Sequence, residues 1–304
     1  LEEVHQQMFE RALAFTTLAA ALYGSIPPLG RFSGDQSREI RAALHYGWSA
    51  VLFAFISVEA HDCALDLASN RPLLMITAGW MIYALPMTWT GLRSKTAPVL
   101  QCGLGAALLA AGVAIITGFS PYDPITRFMV VMNGRTAVML FLIAGSFLLN
   151  FCLDHTETSY PWLLPARRVL QLGVVLLAFS LITVEARDIF QKQIALLSQN
   201  SAADMGAAIN RLENLRQLSL SGLWLAYSLL LTGLGIWRRL QPLRMLAIGL
   251  FGFTILKIFI YDLSFLDTLY RIFSFIGLGI ILLGVSYVYQ RYKSVIFGGA
   301  LHRE

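Results

Sequence analysis

Residues 97–118 read APVLQCGLGAALLAAGVAIITG, an apolar run without one charged side chain. Wound as an α-helix, these 22 residues reach about 33 Å, enough to cross the ~30 Å hydrocarbon layer of a bilayer. Gly103, Gly105, Ala106, Ala107, Ala110, Ala111 and Gly112 leave it nearly free of bulk on one side. Such a helix packs closely against its neighbours inside a membrane bundle.

Working outward, runs of the same kind recur at about 9–28, 41–60, 72–92, 133–152, 166–186, 218–237, 242–261 and 269–289. With the first, that makes nine expected spans. The chain of 304 residues is 57% hydrophobic and only 13% charged, against about 25% charged in soluble domains. Its mean hydropathy is +0.64. The runs are too long and too uniform for the alternating ten-residue strands of a β-barrel, and a signal peptide accounts for only one of them. The expected fold class is therefore an all-α polytopic transmembrane bundle. The chain opens on the charged stretch Leu1 to His5 without an initiator Met, which raises the expectation that it is a piece of a longer protein.

A net charge of +5 in a soluble protein points to nucleic acid, but here the bases are scattered among short loops, where they report topology. Membrane lipids and other membrane subunits are the expected partners, and nucleic acid is not. The short acid-free linkers around Arg93–Lys95 and Arg238–Arg244 place the C-terminus in the cytoplasm by the positive-inside bias. Cys63, Cys102 and Cys152 lie far apart without a CxxC spacing, so neither a disulfide framework nor a metal knuckle is expected. The one sizeable connection, 187–217, carries Ile189, Phe190, Ile194, Leu197, Met205 and Ile209 at near-helical spacing. It reads as an amphipathic helix on the outer membrane face, interrupted near Ser198–Ser201, with a small soluble helical hairpin as the alternative.

The chain also repeats itself. Displaced by 126 residues, Leu44, Gly47, Phe53, Ile56, Glu59 and Asp62 fall on Leu170, Gly173, Phe179, Ile182, Glu185 and Asp188. Displaced by 144, Trp80, Tyr83, Gly91, Pro98 and Gly105 fall on Trp224, Tyr227, Gly235, Pro242 and Gly249. Arg11, Arg135 and Arg271 each stand at the start of an apolar run. The implied organisation is a four-helix unit at 1–130, a parallel duplicate at 131–264 that includes the segment 187–217, and a ninth helix with a cytoplasmic tail at 265–304.

The stretch from Ser219 through Trp224 and Tyr227, Leu256-Lys257-Ile-Phe-Ile-Tyr-Asp262, and Tyr270-Arg271 to Gly279 and Tyr289-Gln290-Arg291 resembles the ending of bacterial predicted membrane proteins in the domain-of-unknown-function 2339 family. Asn133-Gly134-Arg135 is similar to an Asn-Pro-Arg element common there, with Gly134 as the departure. The resemblance implies a multi-pass envelope protein of the bacterial inner membrane. It leaves the activity open.

Ionisable groups at membrane depth cost about 2.5 to 3.5 kcal/mol on insertion scales and mark the places to look for function. Lys257 is the deepest, with Asp262 and Arg271 beside it in sequence. Glu59 with Asp62, and Glu185 with Asp188, lie three apart and share a helix face at the outer boundary, where Arg135 also enters. These eight residues are the candidate binding positions. Each has a plain structural reading: a snorkelling lysine, or acids and arginines holding packed helices in register. No nucleophile elbow, phosphate loop or zinc motif appears, and His61 has no second histidine at ligand spacing, so no catalytic residue, metal or cofactor is assigned. The favoured function is a non-enzymatic scaffold or binding component of an envelope complex. The alternatives are a transporter or flippase working through Lys257, Asp262 and Arg271, and a lipid-linked sugar transferase with Glu59 or Glu185 as base.

Overall fold

The computed structural model describes residues 2–29, 35–66, 72–155, 160–198, 205–238, 240–260 and 268–297. The elements are α1 (Glu2–Gly24), α2 (Ile26–Leu29), α3 (Asp35–Asp66), α4 (Pro72–Arg93), α5 (Ala97–Gly118), α6 (Gly134–Asp154), α7 (Leu163–Ser198), α8 (Met205–Trp237), α9 (Gln241–Ile260) and α10 (Thr268–Phe297). A single 3-10 turn, Ile125–Arg127, lies in the α5–α6 connection. No strand occurs among the described residues, as expected where lipid offers the backbone no hydrogen-bond partner and each segment must satisfy its own.

Seven helices, α3 through α9, are long and apolar enough to cross a membrane by length and composition. The other two expected spans fall on α1 and α10, which are not among those seven. The run at 9–28 is moreover not one rod: α1 stops at Gly24 and a four-residue helix, IPPL, follows. Pro27 and Pro28 remove two backbone donors there, so the first helix cannot run on unbroken. The expected in-plane helix at 187–217 is not a separate element either. Residues up to Ser198 continue α7, a helix of 36 residues, and those from Met205 begin α8, of 33 residues.

Two compact units divide the chain: residues 1–123 with 129–182, and residues 124–128 with 183–304. In the first, α4 and α5 form the centre. Ala107, Ala110 and Ala114 on α5 and Met81 and Ala84 on α4 are fully buried. Small residues set this approach. A Cβ added at Gly103 would stand 2.6 Å from the backbone nitrogen of Thr88, and one at Gly91 would stand 2.6 Å from that of Leu100. Gly105 and Gly112 face open space, so the small-residue run packs on one side only. α3 is fastened to α4 by the Trp80 indole N–H, which donates to Ser57 Oγ at 2.9 Å, and by the Tyr83 hydroxyl, which donates to the Ser49 carbonyl at 3.0 Å. The outer surface is apolar as well: Ile116 and Phe147 are 75% and 70% exposed. A water-soluble bundle carries polar side chains on that face.

The second unit is organised around α8 and α9. Trp224 Nε1 donates to Thr183 Oγ1 at 3.1 Å, joining α8 to α7. A Cβ at Gly235 would meet Arg244 Cγ at 2.7 Å, so these two helices also turn on a glycine.

Candidate functional site

Glu59 and Asp62 share one face of α3 near its C-terminal end. A residue 51 positions earlier answers Asp62: the Arg11 guanidinium on α1 donates to its carboxylate. Both side chains are about a third exposed, at 34% and 38%, a setting in which solvent screens such pairs. Both carboxylate oxygens of Glu59 are buried with no hydrogen-bond partner among the described residues. The positive charge of Arg11 nevertheless lies near enough to act on it.

Arg135 lies at the opening of α6. Asn133 is the N-cap, its side chain accepting from the Thr136 backbone N–H at 2.9 Å, which is the work an asparagine does best in that position. Arg135 follows two residues later, only 2% exposed. Its guanidinium sits 5.5 Å from the centre of the Tyr122 ring and donates to the Gly118 carbonyl at 3.5 Å. A cation thus rests on a terminal carbonyl of α5, where the helix dipole favours it. The approach to this cap is strained: Val131 has φ 63°, a value that costs a β-branched residue about 1 to 3 kcal/mol.

In the second unit Glu185 and Asp188 are buried, Asp188 completely. Arg187 Nε donates to Asp188 Oδ1 at 2.8 Å. Lys192, one turn further along α7, donates to the Phe128 carbonyl at 2.8 Å. Lys257 on α9 is half-buried. Its ammonium donates to Ser221 Oγ on α8 and lies 5.5 Å from the Trp224 ring centre. Trp224 in turn stacks on Phe253 at 6.1 Å. Asp262 and the side chain of Arg271 lie outside the described residues.

Of the candidates, Asp62, Arg135, Asp188 and Lys257 are engaged by nearby protein groups, while the Glu59 carboxylate has no hydrogen-bond partner among the described residues. A cleft of about 630 Å3 in the first unit is lined instead by residues of α1, α3, α4, α5 and the α4–α5 turn, including Tyr23, His45, Trp48 and Arg93. None of the six sequence candidates whose side chains are described lines it. Sequence reading did not find this cleft, because its walls come from four segments of the chain with no shared local motif.

A family model described as predicted membrane protein (DUF2339) matches residues 2–292. The chain belongs to that family. The match extends well beyond the C-terminal stretch whose residues first suggested it, and it accords with the apolar helices of this DUF2339 protein. No curated protein and no solved structure matches the chain.

Proposed function

We propose that this DUF2339 protein is a non-enzymatic scaffold or binding component of a complex in the bacterial inner membrane. The observation that carries this reading is the state of the charged groups. Asp62 is answered by Arg11, Asp188 by Arg187, and Lys257 by Ser221 and the face of Trp224. A transport or catalytic locus keeps its charges available to a substrate, whereas charges closed upon the protein orient helices.

The reading includes a four-helix unit laid down twice in parallel, with the C-terminus in the cytoplasm. Corresponding positions support the duplication. Trp80 to Ser57 and Trp224 to Thr183 are the same indole-to-hydroxyl bond at displacements of 144 and 126. The Thr96 N–H donates to the Gly91 carbonyl at 3.0 Å, and the Leu240 N–H donates to the Gly235 carbonyl at 3.0 Å. Leu100 to Thr96 and Arg244 to Leu240 repeat the next bond of the turn.

The test is complementation of a deletion strain. Lys257→Ala and Glu185→Gln chains at wild-type abundance should restore the phenotype and retain the same co-purifying membrane subunits. Loss of complementation at normal abundance, with the subunits still attached, would show that these groups act on a substrate and would end the scaffold reading.

A further inference from the structure

We propose that the cleft formed by α1, α3, α4 and α5 binds one phospholipid with a net anionic headgroup, its phosphate on Arg93 beside the start of α5 and an acyl chain against Trp48 and Leu52. The inference concerns a part of the molecule that the scaffold reading does not use, and it stands or falls separately.

The cleft has two chemical ends. Ala19, Ala20, Leu52 and Val99 give it apolar walls, and Tyr23 and Trp48 meet edge to face at 5.7 Å along it. The other end holds Arg93 with the hydroxyls of Thr90, Ser94 and Thr96. Its volume of about 630 Å3 lies in the range of clefts that hold small molecules, about 300 to 1,000 Å3. Position agrees with chemistry. Arg93 ends α4 and Ala97 begins α5, so the polar end lies where the apolar spans stop and headgroups begin.

The polar end is prepared for an anion by three independent features. Arg93 is exposed, and among the described residues it pairs with no carboxylate and the cleft lining contains none. Thr96 is the N-cap of α5 but gives it no side-chain cap; its hydroxyl is 2.6 Å from that of Ser94. Thr96 and Val99 both line the cleft, so the positive end of a 22-residue helix lies at its wall, a position that favours phosphate. On the far wall the Trp48 indole donates to His45 Nδ1 at 3.2 Å, which leaves the ring proton of a neutral His45 on Nε2 as a further donor. Lys95 in the turn and Arg41, one helical turn from His45, add positive charge. A zwitterionic headgroup would bring its own cation against these bases, so the site selects a net anionic lipid. Free phosphate has no use for the apolar walls.

The test is native mass spectrometry of the full chain in mild detergent, titrated with phosphatidylglycerol, phosphatidylcholine or inorganic phosphate. One phosphatidylglycerol should stay bound, and phosphatidylcholine should be retained much less. Arg93→Gln should lower the retained fraction about tenfold by removing a charge-assisted contact. Ala20→Trp, at an exposed cleft position, should do the same by filling the apolar end without a change of charge. Arg168→Gln removes an equal charge from an exposed position outside the cleft and should leave retention unchanged. Wild-type retention by either Arg93→Gln or Ala20→Trp, or binding of phosphatidylcholine equal to that of phosphatidylglycerol, would overturn the proposal. So would a phosphate adduct lost in Arg93→Gln but indifferent to Ala20→Trp, which would mark an anion site without a lipid.

Discussion

The α4–α5 and α8–α9 hairpins turn in the same way and then diverge in what they place around the turn. In the first, the glycine backs directly onto main chain: a Cβ at Gly91 would lie 2.6 Å from the nitrogen and 2.8 Å from Cα of Leu100. In the second, the nearest atom to a Cβ at Gly235 is Cγ of Arg244, with the backbone nitrogen at 3.2 Å. The indole of Trp80 stacks on Phe53 at 5.5 Å, while that of Trp224 carries the Lys257 ammonium over its face. Thr77 occupies in the first hairpin the position of Ser221 in the second. Its hydroxyl donates to the carbonyl of Leu74 in its own helix at 2.6 Å. The comparison teaches that one helical pair can be held by close packing or by a half-buried cation while its turn stays the same.

The largest effect expected from this difference is at the two glycines. Gly91→Ala should destabilise the protein by about 2 to 3 kcal/mol, since the main chain of Leu100 has to move. Gly235→Ala should cost less, about 1 kcal/mol, because the closest atom is a side-chain carbon of Arg244 while its nitrogen stands off at 3.2 Å, and alanine favours the helix. Unfolding midpoints in detergent read both, and equal losses would break the contrast. Next come the indoles. Trp80→Phe should cost about 1 kcal/mol for its hydrogen bond, and Trp224→Phe about 2, since the cation loses its best aromatic face as well. Chemical unfolding curves of the two variants should separate in that order.

Lys257→Met sharpens the comparison further by making the second hairpin resemble the first. It removes a charge from membrane depth and lets the Ser221 hydroxyl turn to its own helix, as Thr77 does, so stability should shift by less than about 1 kcal/mol. A loss of about 3 kcal/mol or more on thermal unfolding would show that the cation is indispensable to the packing. The smallest effect belongs to the first turn itself. Lys95 has φ 54°, and its N–H donates to the Leu92 carbonyl at 3.3 Å, the geometry that ends a helix on a left-handed residue. Lys95→Gly should raise stability by roughly 0.5 kcal/mol by relieving that conformation, readable as a small rise in Tm.

What could be read in the sequence was whatever depends on neighbours along the chain. Length and hydropathy located α3 to α9, and the small residues of 103–112 announced a close approach by α5. What could not be read depends on distant partners or on direction. Ser221 stands 36 residues before Lys257, and Arg11 stands 51 before Asp62, with no local spacing to betray either bond. The period of residues 187–217 says that one face is apolar but not whether the helix bends onto the membrane or runs straight on from its span. The structure runs it straight on through Ser198. The break after Gly24 was signalled by Pro27 and Pro28, yet hydropathy alone carried the expected span across it.

The length of α7 has a mechanical consequence. Its 36 residues measure about 54 Å, while a bilayer core hides only about 30 Å, so roughly 24 Å of stiff rod must stand in headgroups and water. Rotating such a rod by about ten degrees, well inside the spread of tilts that membrane helices adopt, sweeps its far tip through about 4 Å. Tilt of this helix is thereby magnified at its overhanging end, where Arg187 to Ser198 lie.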